Sequence, residues 1–270
     1  MNIPAAILLG IIQGLTEFLP VSSSAHLILA RLFFGWETPP DLGLAFDVAL
    51  HLGTLAAILT FFRMEILAMC RAVPAVFAAQ PGESGRLMRL IAIGTIPVVI
   101  VGLLFTDIIE ERMRTPGIAA AALAVGALAM LVAERVGSRS RSEVAMGWFD
   151  ALAIGCAQAA ALVPGVSRSG STIAIGMFLG MRRDAAARFT FLLAIPATLA
   201  AAGKEALELR HLALNDQVVL LFVIGIGVSG AVGYLTIKYF LRFLAGHRLD
   251  VFAYYRILLA VATAVWLWRY

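Results

Sequence analysis

Glu17, Ser23, His26 and Arg168 are the side chains in this 270-residue sequence best equipped for chemistry. A serine hydroxyl becomes a nucleophile when a neighbouring base takes its proton, and Glu17 and His26 flank Ser23 closely enough in sequence to supply that base. His26 changes charge near neutral pH, which also suits it to protonate a leaving oxygen. Arg168 stands between Ser167 and Ser169 in an otherwise uncharged stretch, and its planar fork fits two oxygens of a phosphoryl group at once. Gln13 precedes Glu17 by one helical turn; with Thr16 they can offer oxygens to a divalent cation, Glu17 being the candidate metal ligand. Plainer roles exist too: Arg168 and Glu17 as a structural ion pair, and His26 as a hydrogen-bonded interior residue.

These residues belong to a repeated pattern. Gln13, Val21, Ser22 and Ser24 recur 145 positions later as Gln158, Val166, Ser167 and Ser169. Each copy joins an apolar helix to a turn rich in Pro and Ser, followed by a second helix. Ser22, Ser23 and Ser24 can cap a helix beginning near Ala25, and Ser167 and Ser169 can do the same ahead of Ser171 and Thr172. Serines that merely cap helices need no ligand. Two such turns at matched spacing, however, would aim two helix N-termini at one point, a ready anion site. The candidate binding set is therefore Gln13, Thr16, Ser22, Ser24, Ser167, Ser169, Ser171 and Thr172.

The elements that must position these groups are transmembrane helices. Hydrophobic residues make up 61% of the chain, charged residues 14%, and the mean hydropathy is +0.92; soluble domains carry roughly a quarter charged residues. The fold class is thus an all-α integral membrane protein. Leu44 to Phe62, Leu87 to Phe105, Gly117 to Ala133, Val218 to Phe240 and Val251 to Trp268 are long and apolar enough to cross, and Phe189 to Ala202, flanked by Arg188 and Lys204, makes a sixth span. Ile3 to Leu19 with Ala25 to Phe34, and Phe149 to Val163 with Ser171 to Met181, are broken at Pro20 and Pro164 and read as two re-entrant helical hairpins. One hairpin plus three spans per half is an odd number of crossings, so residues 1–134 and 149–270 form an inverted repeat within one membrane domain, 1–270. A charge at the membrane centre costs on the order of 2.5–3.5 kcal/mol, which makes Arg168 a functional candidate.

Charge sets the orientation. The segments Arg63 to Arg89, Arg135 to Trp148, Met181 to Arg188 and Lys238 to Arg256 hold 14 of the 21 cations, against Arg31, Arg112, Arg114, Lys204, Arg210 and Arg269 opposite. Cytoplasmic loops are the Lys- and Arg-rich ones. The first hairpin then opens outward and the second inward, their tips meeting near the midplane. The net charge of +4 is scattered over short loops, so no nucleic-acid partner is expected. Cys70 and Cys156 lack metal-binding or disulfide spacing. With its first cation at Arg31, the N-terminus has no basic leader region, and the first helix is expected to stay in the mature chain. Trp36, Trp148, Tyr254, Tyr255, Trp266, Trp268 and Tyr270 suit the membrane interface. Asp47 and His51, with Thr54, read as a polar stripe at the outer start of a span, and Asp107, Asp150, Lys204 and Glu205 as span-end charges.

The motifs Gln-Gly-Leu-Thr-Glu-Phe-Leu-Pro-Val-Ser-Ser-Ser-Ala-His (13 to 26) and Pro-Gly-Val-Ser-Arg-Ser-Gly-Ser-Thr (164 to 172) resemble the two signatures of the undecaprenyl-pyrophosphate phosphatase family of the bacitracin-resistance type. Phe46 to Thr54, Arg188 to Pro196, and the size and hydropathy of the whole chain resemble that family too. Gln13 stands where the family has Glu or Gln, and Ala25 where Gly is commoner. The resemblance implies a bacterial plasma-membrane enzyme, its site open to the outer face, that removes the terminal phosphate of a C55 isoprenoid pyrophosphate. That reaction recycles the lipid carrier for wall synthesis and confers bacitracin resistance. Glu17, Ser23, His26 and Arg168 fall on the family's catalytic positions, and a divalent cation, Mg²⁺ or Ca²⁺, is implied with them. The partners expected are the lipid pyrophosphate and membrane lipid, in a monomer or homodimer. The internal duplication also suits a transporter or flippase for a lipid phosphate or small anion; a nucleophile beside an acid/base pair favours the enzyme. Attack by Ser23 and attack by water fit these residues equally.

Overall fold

The computed structural model describes residues 2–36, 40–78, 81–209 and 215–269. Arg210, Tyr270 and the side chain of Glu205, all used in the charge and interface reading, lie outside them. Among the described residues eleven α-helices follow one another without a sheet: α1 (Ile3–Thr16), α2 (Ser23–Phe34), α3 (Pro40–Phe61), α4 (Arg63–Ala72), α5 (Gly82–Ile108), α6 (Pro116–Val136), α7 (Trp148–Ala160), α8 (Arg168–Phe178), α9 (Arg183–Leu209), α10 (Asp216–Leu244) and α11 (Asp250–Arg269).

Among the described residues six stretches are long and apolar enough to cross a bilayer: Leu42–Phe61, Gly82–Phe105, Pro116–Val136, Arg183–Lys204, Asp216–Leu244 and Asp250–Arg269. They match the six predicted spans. The sixth is longer than the apolar window suggested, because helix α9 runs on past Pro196 in both directions; membrane helices tolerate such prolines when neighbours satisfy the freed carbonyl. Outward faces carry Leu103, Val125, Val223 and Leu258, all exposed, a surface suited to acyl chains. The short α4, with Glu65 and Arg71 on a partly apolar helix, was not foreseen.

The two broken segments form helix–turn–helix pairs, α1/α2 and α7/α8. At 14 residues α1 is roughly 21 Å long, short of the ~30 Å hydrocarbon core. The breaks differ in detail from the sequence reading. Helix α1 stops at Thr16, ahead of Pro20, and α2 begins at Ser23 rather than Ala25; α8 begins at Arg168 rather than Ser171. The caps are Ser22 and Ser167, so Ser23 and Arg168 each occupy the first helical position, nearest the dipole's positive end.

Packing joins the halves reciprocally. Helix α1 of the first half lies along α10 of the second, while α7 of the second lies along α5 of the first; α6 pairs with α11, and α3 with α10 and, less extensively, with α9. Glycines set the closest approaches. A Cβ at Gly155 of α7 would overlap the Gly94 carbonyl of α5, and one at Gly53 of α3 would strike Ser229 and the Ile226 carbonyl of α10. In the first turn Phe18 is buried edge-on against Phe191 of α9, with ring centroids 5.3 Å apart, which fixes the turn to the opposite half.

Candidate active site

Both turns reach their helices through the same strained backbone. Ser22 has φ 72° and ψ 99°, and Ser167 has φ 71° and ψ 110°. A non-glycine residue in that region costs on the order of 1–3 kcal/mol and persists only where its surroundings enforce it. Part of the enforcement is local: the Ser22 hydroxyl accepts from Ala25 N–H at 3.4 Å and the Ser167 hydroxyl from Gly170 N–H at 3.1 Å. The Oγ atoms of Ser22 and Ser24 lie 3.2 Å apart, and those of Ser167 and Ser169 3.3 Å apart.

The rest is supplied by Arg256 of α11, fully buried. Its guanidinium donates to the carbonyls of Pro20 at 3.4 Å, Gly165 at 3.0 Å and Val166 at 3.0 Å, and also to Ala122 and Leu123 of α6. By charge pattern Arg256 counts among the cytoplasmic-loop cations; in the structure it is a clasp holding both turns. The signal was faint, since a single arginine after Tyr254 and Tyr255 looks like an interfacial anchor. Ser169 adds a second tie, donating from Oγ to the Leu19 carbonyl at 2.9 Å.

Between the turns is a cavity of about 220 Å³, lined by Glu17, Ser22, Ser23, Ser24, His51, Gln158, Ser167, Arg168 and Thr198 among others. Glu17 is its centre. One carboxylate oxygen accepts from Arg168; the other accepts from Ser23 Oγ at 2.6 Å and from Gln13 Nε2 at 2.9 Å, with His51 Nε2 at 3.4 Å. Arg168 also donates to Thr198 Oγ1 at 3.0 Å. The arginine and carboxylate are thus an ion pair, and the pair opens onto a chamber that also holds a serine hydroxyl. Such an arrangement lets a carboxylate draw the proton from Ser23 while a guanidinium and two helix N-termini receive negative charge.

Thr16, Ser22, Ser24 and Ser167 of the predicted set also line the cavity. Gln13 lies behind Glu17, and Ser169 faces the opposite turn, at Leu19. Ser171 donates to the Ala157 and Arg168 carbonyls, and buried Thr172 bonds to the Arg168 carbonyl and to Thr190, so these two brace α8 from behind. His26 does not border the cavity: its Nδ1 lies 2.7 Å from the Ser22 carbonyl and its Nε2 2.7 Å from Tyr255 Oη, with the two rings parallel at 5.6 Å.

His51, Gln158 and Thr198 were absent from the predicted set. His51 had been read with Asp47 as a polar stripe at a span start; its spacing of three residues from Thr54 and four from Asp47 marked a polar helix face, but not which neighbour that face would meet. Asp47 itself is buried and accepts from Arg31 at 2.5 Å and from Arg114. Of the span-end charges, Asp150 pairs with Arg141 at 2.7 Å and Lys204 with Asp107 at 3.8 Å.

The donor set does not make a metal cage. A hard divalent cation needs about six or more oxygen ligands, yet Glu17 is surrounded by donors, Thr16 Oγ1 donates to the Ile12 carbonyl, and Gln13 presents its N–H to Glu17. Among the described residues no group of three or more His, Cys, Asp or Glu side chains converges.

Among the described residues, six helices long and apolar enough to cross a membrane, two paired short helices and a Ser–Glu–Arg cluster lining the cavity between the turns define a polytopic membrane protein. The chain belongs to the bacitracin resistance protein BacA family, whose model matches residues 6–262. It is similar to the undecaprenyl-diphosphatase of Rubrobacter xylanophilus, 45% identical over 264 residues covering 96% of each chain. It is also similar to that of Nitrosococcus oceani, 47% identical over 254 residues covering 93% of this chain and 94% of the other.

Proposed function

We propose that this protein is an integral membrane phosphatase that hydrolyses undecaprenyl pyrophosphate to undecaprenyl phosphate and inorganic phosphate. The observation that carries this reading is the hydrogen bond of 2.6 Å from Ser23 to a carboxylate that Arg168 holds in place, inside a cavity bordered by two helix N-termini. Ser23 Oγ attacks the terminal phosphorus as its proton passes to Glu17; the new O–P bond forms while the bridging P–O bond breaks, releasing the lipid monophosphate. Arg168 and the N–H groups at the starts of α2 and α8 neutralise the equatorial oxygens. Glu17 hands the Ser23 proton to the departing monophosphate; water then attacks the phosphoserine, giving a proton to Glu17, which returns it to Ser23 Oγ as the O–P bond breaks and inorganic phosphate leaves.

His26 acts on this site from behind, holding the Ser22 carbonyl and thereby the turn. A divalent cation, on this reading, enters bound to the diphosphate, because the cavity's own groups form no cage for it.

The two helix pairs are re-entrant hairpins of an inverted repeat, residues 1–134 and 149–270, lying in the bacterial plasma membrane. The exchange of α1 onto α10 and α7 onto α5 and the shared geometry of Ser22 and Ser167 support that symmetry. The site opens to the outer face. A second hollow, of about 200 Å³ and lined by Ser24, Glu110, Arg114 and Leu162, shares Ser24, Ala161 and Leu162 with the central cavity and leads toward the side bearing Arg31 and Arg114.

Purified protein in detergent is expected to release phosphate from C55 or C15 pyrophosphate, and to lose that activity in Glu17→Ala and Arg168→Ala. Uptake of the intact anion by proteoliposomes with no phosphate released would overturn the proposal. Activity retained in a chelator would remove the cation from it.

A further inference from the structure

Gln158, on the last turn of α7, is 2% exposed and borders the central cavity, yet neither its Nε2 nor its Oε1 has a hydrogen-bond partner among the described residues. Gln13 Oε1, Arg31 Nε and Asp250 Oδ1 are likewise unpartnered, but each belongs to a side chain whose other polar atoms are bonded. Among the described residues Gln158 is the one buried amide with nothing satisfied at either end. Its repeat counterpart Gln13 spends its N–H on Glu17 and stays out of the cavity. Burial of an unpaired amide is unfavourable, and such groups persist where a ligand completes them.

The ligand must offer both an acceptor and a donor. Among the cavity's other polar groups, which also include Thr16, Glu17, His51 and Thr198, the donors Arg168, Ser22, Ser23, Ser24 and Ser167 already suit a phosphorylated head group, whose non-bridging oxygens are acceptors. We propose that Gln158 binds the diphosphate directly, Nε2 donating to a non-bridging oxygen and Oε1 receiving an O–H of the hydrolytic water. A neutral amide serves this better than a carboxylate, which would repel the head group and compete with Glu17 for Arg168. This inference rests on the phosphatase reading above and adds a second-half residue to the head-group site.

The test uses Gln158→Met, which keeps length and packing but removes the amide, with farnesyl pyrophosphate as substrate and inorganic pyrophosphate as competitor. Removing a charge-assisted hydrogen bond is expected to lower kcat/KM about 10- to 100-fold, chiefly through KM, and to weaken pyrophosphate competition by a similar factor. Thermal unfolding is expected to stay or rise, since an unsatisfied amide has gone; a merely structural glutamine would move it the other way. Gln158→Glu, the same shape with a charge, is expected to lose more activity than Gln158→Met, and Gln158→Ala replaces the methionine variant if that folds poorly. Kinetics and pyrophosphate competition within twofold of the parent, or a fall in kcat alone, would overturn the assignment. Arg168→Ala and Glu17→Ala run alongside the parent separate the two claims: if they are inactive while Gln158→Met is normal, only the role of Gln158 fails; if they are active, the assignment of the reaction to this cavity fails; and if the parent releases no phosphate, the phosphatase reading itself fails.

Discussion

Replacing Arg256 with methionine should part the two turns. The guanidinium serves five carbonyls, of which Ala122 and Leu123 lie within α6 and also accept helical bonds, while Pro20, Gly165 and Val166 lie in the turns and have no other donor among the described residues. Three orphaned carbonyls at about 1–3 kcal/mol each amount to roughly 3–9 kcal/mol. Against this, removing a buried charge recovers a desolvation cost of several kcal/mol, which offsets that loss in part. Part of that loss is the support for Ser22 and Ser167, whose strained backbones would relax and carry Ser23 and Arg168 away from Glu17. Phosphate release should therefore fall by more than tenfold, and the thermal midpoint in detergent should drop by several degrees. Lysine, with one compact head instead of a fork, should recover little of either. Gly126 and Gly170 leave space for this guanidinium, so alanine at either should give a milder version of the same defect. An Arg256→Met protein with unchanged midpoint and activity would refute the claim that this residue holds the turns.

Glu17→Gln keeps shape but puts an N–H donor where one oxygen accepts, facing other donors, and should reduce turnover by about 10²–10⁴-fold, measured as phosphate release. Ser23→Ala should abolish the acid-stable phosphopeptide that mass spectrometry of a quenched parent reaction should reveal at residue 23; its absence from the parent would instead favour water as nucleophile. His51→Leu removes the ring 3.4 Å from Glu17 and should lower kcat at least tenfold with little change in thermal unfolding. At the foot of α7, burial penalises the Asp150 carboxylate, but Arg141 and the Gly147 N–H outweigh it and hold the carboxyl below its ordinary value. Its contribution to stability is therefore complete above the unfolded value near about 3.9 and is lost as pH falls through the lower folded one; Asp150→Asn should flatten the acid limb of a stability profile.

The six spans were legible because apolar length alone determines them, and the Ser–Glu–Arg cluster because charges and serines are conspicuous in apolar sequence. Helix starts were less so. Ser23 and Arg168 join their helices because Ser22 and Ser167 adopt positive φ, a conformation that serine rarely takes and that tertiary clasps help to enforce. His26 was drawn toward the chemistry by its nearness to Ser23, yet α2 turns it to Tyr255. Residues contributed from distant helices were the hardest: Asp47 to His51 is one turn of α3, and nothing local says that this turn faces Glu17. Arg256 looked like a topology signal because loop charges and buried clasps are written with the same residue.

The order of synthesis gives the position of that arginine another meaning. By residue 168 the ribosome has made Glu17, Ser23 and Arg168, but α10, on which α1 lies, and α11, which fastens the turns, are still to come. A nascent or truncated chain ending before residue 216 would carry the reactive groups without the scaffold that aligns them. Maturation of activity should thus wait for the final two membrane insertions.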